Sequence, residues 1–146
     1  MLRLEFHITG GNFNSAGEAS SSLKKTLKQL GVNSCVIKRT VVAVYEAEVN
    51  IVAHAYEGTI TAEIDQQSIR ITVCDRGPGI SDINLAMQAG FSTASQRVRE
   101  MGFGAGMGLP KIKNNSDNFS ISSTPGIGTT LQITNLIENY ETENCA

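Results

Sequence analysis

The chain has 146 residues, 40% of them hydrophobic, so it can form one domain around a core of its own. Its 12 Lys and Arg and 14 Asp and Glu give a formal net charge of −2, which argues against a basic nucleic-acid surface. Three widely spaced cysteines form no disulfide or zinc pattern, and no apolar run approaches membrane-spanning length. We therefore expect a cytoplasmic protein.

The first half of the chain predicts a strand followed by two helices. In the opening LRLEFHIT, apolar and polar residues alternate, which is the pattern of a strand with one buried face. Residues 15–30 are compatible with a helix that stops before Gly31. A second helix is predicted from about Ser34 to Glu57, before Gly58.

The second half predicts two hairpins on either side of a glycine-rich stretch. The strands TITAEI and IRITV, joined by DQQS, form the first hairpin. A short helix with an acidic cap follows from Ser81, and Gly, Ser and Thr dominate from Gly90 to Gly108. A further helix opens near Leu109. The strands FSISS and TTLQITNLI, joined by TPGIG, form the last hairpin.

These elements define a fold class and a domain organisation. A strand, two helices, a hairpin, a helix and a hairpin predict an α+β two-layer sandwich. The sheet is expected to be mixed but mostly antiparallel, with the helices on one face. We expect a single domain over residues 1–137 and a polar, frayed tail over residues 138–146.

A line of polar residues on the second helix is the first candidate for chemistry. Glu46, Asn50 and His54 are four residues apart and Glu57 is close by, so they share one side of a helix otherwise buried almost all round. The segment YEAEVNIVAHAYEG contains no Lys or Arg. The line is either a solvent-facing strip or a site wall. In a site wall, the Asn50 amide would bind magnesium and Glu46 would orient or deprotonate a hydroxyl or water. His54 is expected to be structural, because no second His or Cys lies at metal spacing.

The segment CDRGPGISD is the second candidate. Asp75 shares the parity of the apolar residues in its strand, so it points inward, where a buried carboxylate needs a donor. Gly77 and Gly79, on either side of Pro78, make a sharp turn beside it. An adenine amino group is one suitable donor. The alternative is a turn in which Asp75 binds its own backbone.

Two further segments complete the set of candidates. In MGFGAGMGLPK, glycines alternate over residues 102–108 and lead into a helix whose N-terminus favours anions, which suits a polyphosphate. The preceding GFSTASQRVRE resembles a mobile lid, and the alternative is a plain glycine-rich linker. In GIGTT, Thr129 has inward parity, although a single Thr in a strand is often only packing.

The motifs in chain order are E-x-x-x-N, D-x-G-x-G, a glycine-rich loop before a helix, and G-T-T. This set is carried by EAEVNIVAHAYEG, CDRGPGI, GFGAGMGLP and GIGTT and spans nearly the whole chain. It resembles the GHKL ATPases with the Bergerat, or histidine-kinase-like ATPase, fold. The short form is similar to the anti-sigma-factor serine/threonine kinases. The GFST and GAGMGLP segments are closest to the switch-kinase branch that acts on stressosome scaffold proteins.

The resemblance implies a role for each matching residue. Asn50 would bind magnesium and the nucleotide, Glu46 would be the catalytic carboxylate, and Asp75 would hold the adenine amino group. Thr129 would support Asp75 or a bridging water. The other expected nucleotide contacts belong to the adenine turn and the glycine-rich loop: Gly77, Gly79, Ser92, Thr93, Gly104, Ala105, Gly106, Met107, Gly108 and Leu109.

The resemblance also implies a function. It predicts a magnesium-dependent serine/threonine kinase that binds ATP and ADP and phosphorylates a small STAS-type (anti-anti-sigma) or stressosome scaffold protein. A sigma factor or another regulatory protein is a further candidate partner, and a homodimer is compatible. No nucleic-acid or membrane partner is expected. The alternative function is a non-catalytic, nucleotide-gated interaction switch.

The first predicted helix departs from the family pattern. Family members that sequester sigma factors carry, as a rule, an Arg in this helix that docks the regulatory partner. Residues 11–31 contain no Arg. The resemblance therefore does not extend to that docking mode or to sigma-factor binding through it.

Overall fold

The computed structural model describes residues 1–88 and 108–137. The described residues form five strands: β1 (Leu2–Thr9), β2 (Glu57–Ile64), β3 (Ser68–Arg76), β4 (Asn118–Thr124) and β5 (Gly128–Leu136). They also form four α-helices: α1 (Glu18–Gln29), α2 (Ser34–His54), α3 (Ile83–Ala86) and α4 (Gly108–Asn114).

The five strands form one sheet in the order β1-β2-β3-β5-β4. Every strand pair in the described part of the chain is antiparallel. The sheet register places Asp75 of β3 between Gly58 of β2 and Thr129 of β5. The predicted α+β class and both predicted hairpins are confirmed.

One face of the sheet is apolar and packs under the helices. In β2, residues facing the helices are buried and alternate with partly exposed ones, as the sequence alternation predicted. Helix α2 contacts β1, β2, β3 and β5, and both α1 and α4 pack against α2. Fully burying one Leu or Ile side chain contributes about 1.5–3 kcal/mol, so this layer is the main source of stability. No helix in the described ranges is both long and apolar enough to cross a membrane.

The predicted start of α1 was wrong by three residues. The helix begins at Glu18, and residues Phe13–Ser15 form a short 3-10 turn instead. Gly17 separates the two with a φ of 101°, a left-handed conformation that a helix cannot continue through. The short helix α3 likewise begins at Ile83 and not at Ser81, because Asp82 caps it by accepting from the Leu85 N–H at 3.0 Å.

The predicted end of α2 was also wrong by three residues. The helix ends at His54, Ala55 is extended, and Glu57 is the first residue of β2, opposite Arg76. Strand pairing therefore takes precedence over helical spacing, and Glu57 does not belong to the polar line of α2. The helix is also less completely buried than predicted, since the Tyr45 side chain is 40% exposed.

A buried glutamate that the sequence reading did not single out joins α2 to α1. Glu48 is 2% exposed, and its two oxygens accept hydrogen bonds from the backbone N–H groups of Ala19 at 3.0 Å and Ser20 at 3.3 Å. The first N–H groups of a helix have no partner within the helix, and Gly17 has no side chain to supply one. Glu48 therefore caps α1. The signal in the sequence was an acid four residues from Val44 and four from Val52, on the apolar side of α2.

Candidate nucleotide site

The polar side of α2 forms one wall of the site, and α4 lies against it. The Glu46 side chain is 17% exposed, and the Nζ of Lys111 lies 3.4 Å from its Oε1. A Cβ added to Gly108 would lie 3.0 Å from the Oδ1 of Asn50, so the start of α4 passes directly beside this amide. The acidic member of this polar line, Glu46, is therefore paired with a lysine from a distant part of the chain.

The turn after β3 closes the wall at the end of α2. A Cβ added to Gly77 would lie 2.9 Å from the Cα of Ala55, so only glycine allows this approach. Burial lowers the pKa of the neighbouring His54, which is therefore neutral at physiological pH. Along α2, Glu46 and His54 are separated by about 12 Å at 1.5 Å per residue. The turn and the two polar groups thus line one elongated surface.

The Asp75 carboxylate lies at the end of β3 and is half-buried. Its Oδ1 accepts a hydrogen bond from the backbone N–H of Thr129 at 3.2 Å. Burial raises the pKa of Asp75, and the bond from Thr129 opposes that rise. Within the described residues, Oδ2 has no hydrogen-bond partner, so it can accept from a ligand. The bond runs across the sheet, which differs from the local turn considered as an alternative.

A serine that the sequence reading missed fixes the geometry around Asp75. The Ser123 hydroxyl donates to the carbonyl of Gly128 at 3.1 Å and accepts from the backbone N–H of Ile80 at 2.7 Å. The hydroxyl of Thr129 lies 2.8 Å from the same oxygen and can donate to it while Ser123 donates to Gly128. Thr129 thus meets Asp75 through its backbone, while Ser123 ties the turn after β3 to the last hairpin. Ser123 shares the parity of the apolar residues of β4, which was the available signal.

A family model of the histidine kinase-like ATPase domain matches residues 12–135. The chain belongs to this family. It is 34% identical over 113 residues to serine/threonine-protein kinase RsbT of Bacillus subtilis, covering 75% of this chain and 79% of the relative. It is 40% identical over 100 residues to an anti-sigma F factor of Caldanaerobacter subterraneus, covering 65% of this chain and 66% of the relative.

Solved structures share the fold of this histidine kinase-like ATPase domain. One contains the RsbU and RsbW domains of a Mycobacterium tuberculosis protein, with a TM-score of 0.60, 22% identity, and coverage of 91% of this chain and 32% of that chain. Another is the SiaB-SiaC complex of Pseudomonas aeruginosa, with a TM-score of 0.60, 14% identity, and coverage of 90% of this chain and 89% of that chain. At these identities the likeness concerns the fold.

Part of the expected site of this ATPase domain lies outside the described residues. This applies to the expected lid and to Ser92, Thr93, Gly104, Ala105, Gly106 and Met107. Leu109 is described, and its side chain packs in the hydrophobic core.

The described groups of this ATPase domain fit a magnesium-bound nucleotide. No cluster of three or more His, Cys, Asp or Glu residues that could hold a metal occurs in residues 1–88 and 108–137. Magnesium in nucleotide sites needs only one or two protein ligands, because phosphates and water complete its coordination. Asn50 can supply one such ligand, and any side chain at position 108 would crowd its Oδ1.

Replacing Gly79 by Ala should destabilise the ATPase domain and weaken nucleotide binding. The φ of Gly79 is +73°, and an added Cβ would clash with the carbonyl oxygen of Thr124. Gly126→Ala is the matched control, because its φ is +81° but nothing lies within 4 Å of the added Cβ. A left-handed conformation costs an Ala about 1–2 kcal/mol. Urea unfolding should show about that loss for Gly126→Ala and a larger one for Gly79→Ala. Equal losses of unfolding free energy in the two variants would show that the turn at Gly79 shifts to relieve the clash.

Proposed function

We propose that the chain is a serine/threonine protein kinase that uses magnesium-bound ATP. The observation that supports this most is the alignment of three groups along one surface. Glu46 and Asn50 stand one turn apart on α2, and the Asp75 turn packs against the end of the same helix through Gly77. In a histidine kinase-like ATPase domain, Glu46 can act on the acceptor hydroxyl, Asn50 can bind the metal, and Asp75 can bind the adenine ring of the nucleotide.

The proposed roles follow from the chemistry of each group. The Oδ2 of Asp75, which has no partner among the described residues, accepts a hydrogen bond from the adenine amino group, and Gly77 and Gly79 shape the surrounding turn. The Asn50 Oδ1 binds magnesium. Glu46 orients the acceptor hydroxyl and takes its proton as the oxygen–phosphorus bond forms. When bound, ATP would supply the phosphoryl group, whose bond to the ADP oxygen breaks as the new bond forms, and magnesium would neutralise the phosphate charge, so ADP is the product.

We propose a small regulatory protein of the STAS type, such as a stressosome scaffold, as the phosphoryl acceptor. The relatives named above include a serine/threonine-protein kinase and an anti-sigma factor, which supports a regulatory protein as partner. A sigma factor is a second candidate partner. We place this activity in the cytoplasm, in a single kinase domain over residues 1–137.

Radiolabelled ATP tests this proposal directly. The wild-type chain, mixed with magnesium, γ-labelled ATP and a STAS-type protein, should label a Ser or Thr of that protein. A wild type that binds magnesium-ATP yet labels no such partner would contradict the kinase and leave a nucleotide-gated switch.

Asn50→Ala tests the magnesium ligand within the same proposal. Calorimetry should show magnesium-ATP binding weakened by about tenfold or more, because a ligand to a charged centre is lost. ATP binding in excess EDTA should change much less. Asn118→Ala, on the exposed edge strand β4, is the control and should behave like the wild type in both conditions. An equal loss with and without magnesium would argue that Asn50 contacts the nucleotide and not the metal.

A further inference from the structure

A lysine on α4 lies beside Glu46, the proposed general base, and none of the roles proposed for the nucleotide site includes this lysine. The Nζ of Lys111 lies 3.4 Å from the Oε1 of Glu46. Among the described residues, this lysine is the polar partner of the Glu46 carboxylate. The ion pair joins α2 to a helix more than sixty positions later in the chain. A carboxylate held by one cation has fewer orientations than a free one.

Helix α4 is well placed to hold that cation still. The side chains of Leu109 and Ile112 are buried in the core on either side of Lys111 in the sequence. Gly108 passes beside Asn50, while Lys111, three residues later, reaches Glu46, four residues before Asn50. Helix α4 therefore contacts α2 at two points about one turn apart, Gly108 at Asn50 and Lys111 at Glu46. Through these contacts α4 sets the position of Glu46 relative to Asn50, the proposed magnesium ligand.

The exposure of this ion pair argues against a role in holding the fold together. The side chains of Lys111 and Glu46 are 50% and 17% exposed, and an ion pair whose cation is open to water adds little to stability because water and salt screen it. Helix α4 is anchored by its apolar residues instead. Lys111 can therefore be replaced while Leu109 and Ile112 still hold α4 in the core. An experiment on Lys111 can then distinguish an effect on the site from an effect on folding.

We infer that Lys111 is a positioning residue, which orients the Glu46 carboxylate toward the acceptor hydroxyl of the protein substrate. This inference rests on the kinase function proposed above. Lys113, the other lysine of α4, has no ion pair within the described part of the chain and provides a matched control on the same helix. In the proposed arrangement, Lys111 acts on the rate of transfer through Glu46 and leaves nucleotide affinity alone.

A double-mutant cycle tests this inference, with kcat for transfer and the Kd of magnesium-ATP measured for each variant. Lys111→Met should lower kcat about 10- to 100-fold, the effect of misplacing a reacting group, with little change in Kd. Lys111→Arg should recover most of the rate, and Lys113→Met should match the wild type. In a Glu46→Gln background, Lys111→Met should cause little further loss, since residues that act together are not additive.

The outcomes separate this inference from the kinase proposal. If the wild type fails to label any STAS-type partner, the kinase function and the role of Lys111 are both refuted. If the wild type transfers phosphate and Lys111→Met leaves kcat unchanged, only the role of Lys111 is refuted. The same holds if Lys111→Met lowers kcat equally with Glu46 and with Gln at that position, because the lysine would then act on the phosphates directly. Unfolding midpoints equal to the wild type should accompany the expected result.

Discussion

Replacing Glu46 by Gln should lower phosphoryl transfer to the protein substrate about 10²–10⁴-fold, the usual contribution of a general base. Gln keeps the size of the side chain and one acceptor oxygen, but it cannot take a proton from the acceptor hydroxyl. Magnesium-ATP affinity should remain close to that of the wild type, because Asp75 and Asn50 are untouched. Transfer rates with radiolabelled ATP and calorimetry on the same preparations provide the two measurements.

Glu57→Gln is the matched control for this experiment. Glu57 is close to Glu46 in sequence, but it lies on β2, with an Oε2 3.4 Å from the Arg76 guanidinium and a side chain 46% exposed. Its replacement should leave both transfer and binding unchanged. If Glu46→Gln labels the partner as fast as the wild type does, Glu46 is not the base, and the polar line of α2 has another purpose.

Replacing Asp75 by Asn should weaken the binding of ATP and ADP by roughly 10- to 150-fold, since a hydrogen bond to a charged group contributes about 1.5–3 kcal/mol. The amide can still accept from the Thr129 N–H through its oxygen, but it loses the charge and can present an NH₂ group to the adenine donor. Asp82→Asn is the control, because Asn caps the start of a helix as well as Asp does. Unchanged affinity in Asp75→Asn would remove this residue from the pocket.

The pH dependence of binding should follow the same carboxylate. Burial raises the pKa of Asp75 in the empty protein, so its protonated form is favoured on folding. Protonated Asp75 therefore stabilises the folded state fully below the ordinary Asp pKa of 3.8, and this stabilisation is lost as pH rises through the raised pKa. Near neutral pH, Asp75→Asn should therefore unfold at the wild-type temperature or above, so lost binding cannot be attributed to unfolding. Nucleotide affinity in the wild type should fall as pH is lowered toward the raised pKa, and Asp75→Asn should lack this dependence.

Local periodicity was enough to predict the features that depend on one element. Alternation along β3 predicted that Asp75 faces the interior, and four-residue spacing predicted that Glu46 and Asn50 share one side of α2. Both are properties of a single strand or helix. The sequence was less informative at the end of α2, where pairing between Glu57 and Arg76 ends a helix that local spacing would continue.

The contacts that could not be predicted join elements far apart in the chain. Lys111 meets Glu46, and Ser123 meets Ile80, only because α4 packs on α2 and β4 lies beside the turn after β3. Parity shows that Ser123 points inward, but it does not show which group lies opposite. The family motif includes the candidate site residues but neither Lys111 nor Ser123.

Helix α2 directs two glutamates, two positions apart, to different tasks. Glu46 faces the site, whereas Glu48 is buried against the backbone N–H groups of Ala19 and Ser20. In a genetic screen for inactive alleles, changes at both positions should be recovered at similar frequency. Only their protein levels would differ: Glu46 alleles should accumulate as folded protein, and Glu48 alleles should be degraded. Inactive alleles of this helix should therefore be sorted by abundance before any of them is assigned to catalysis.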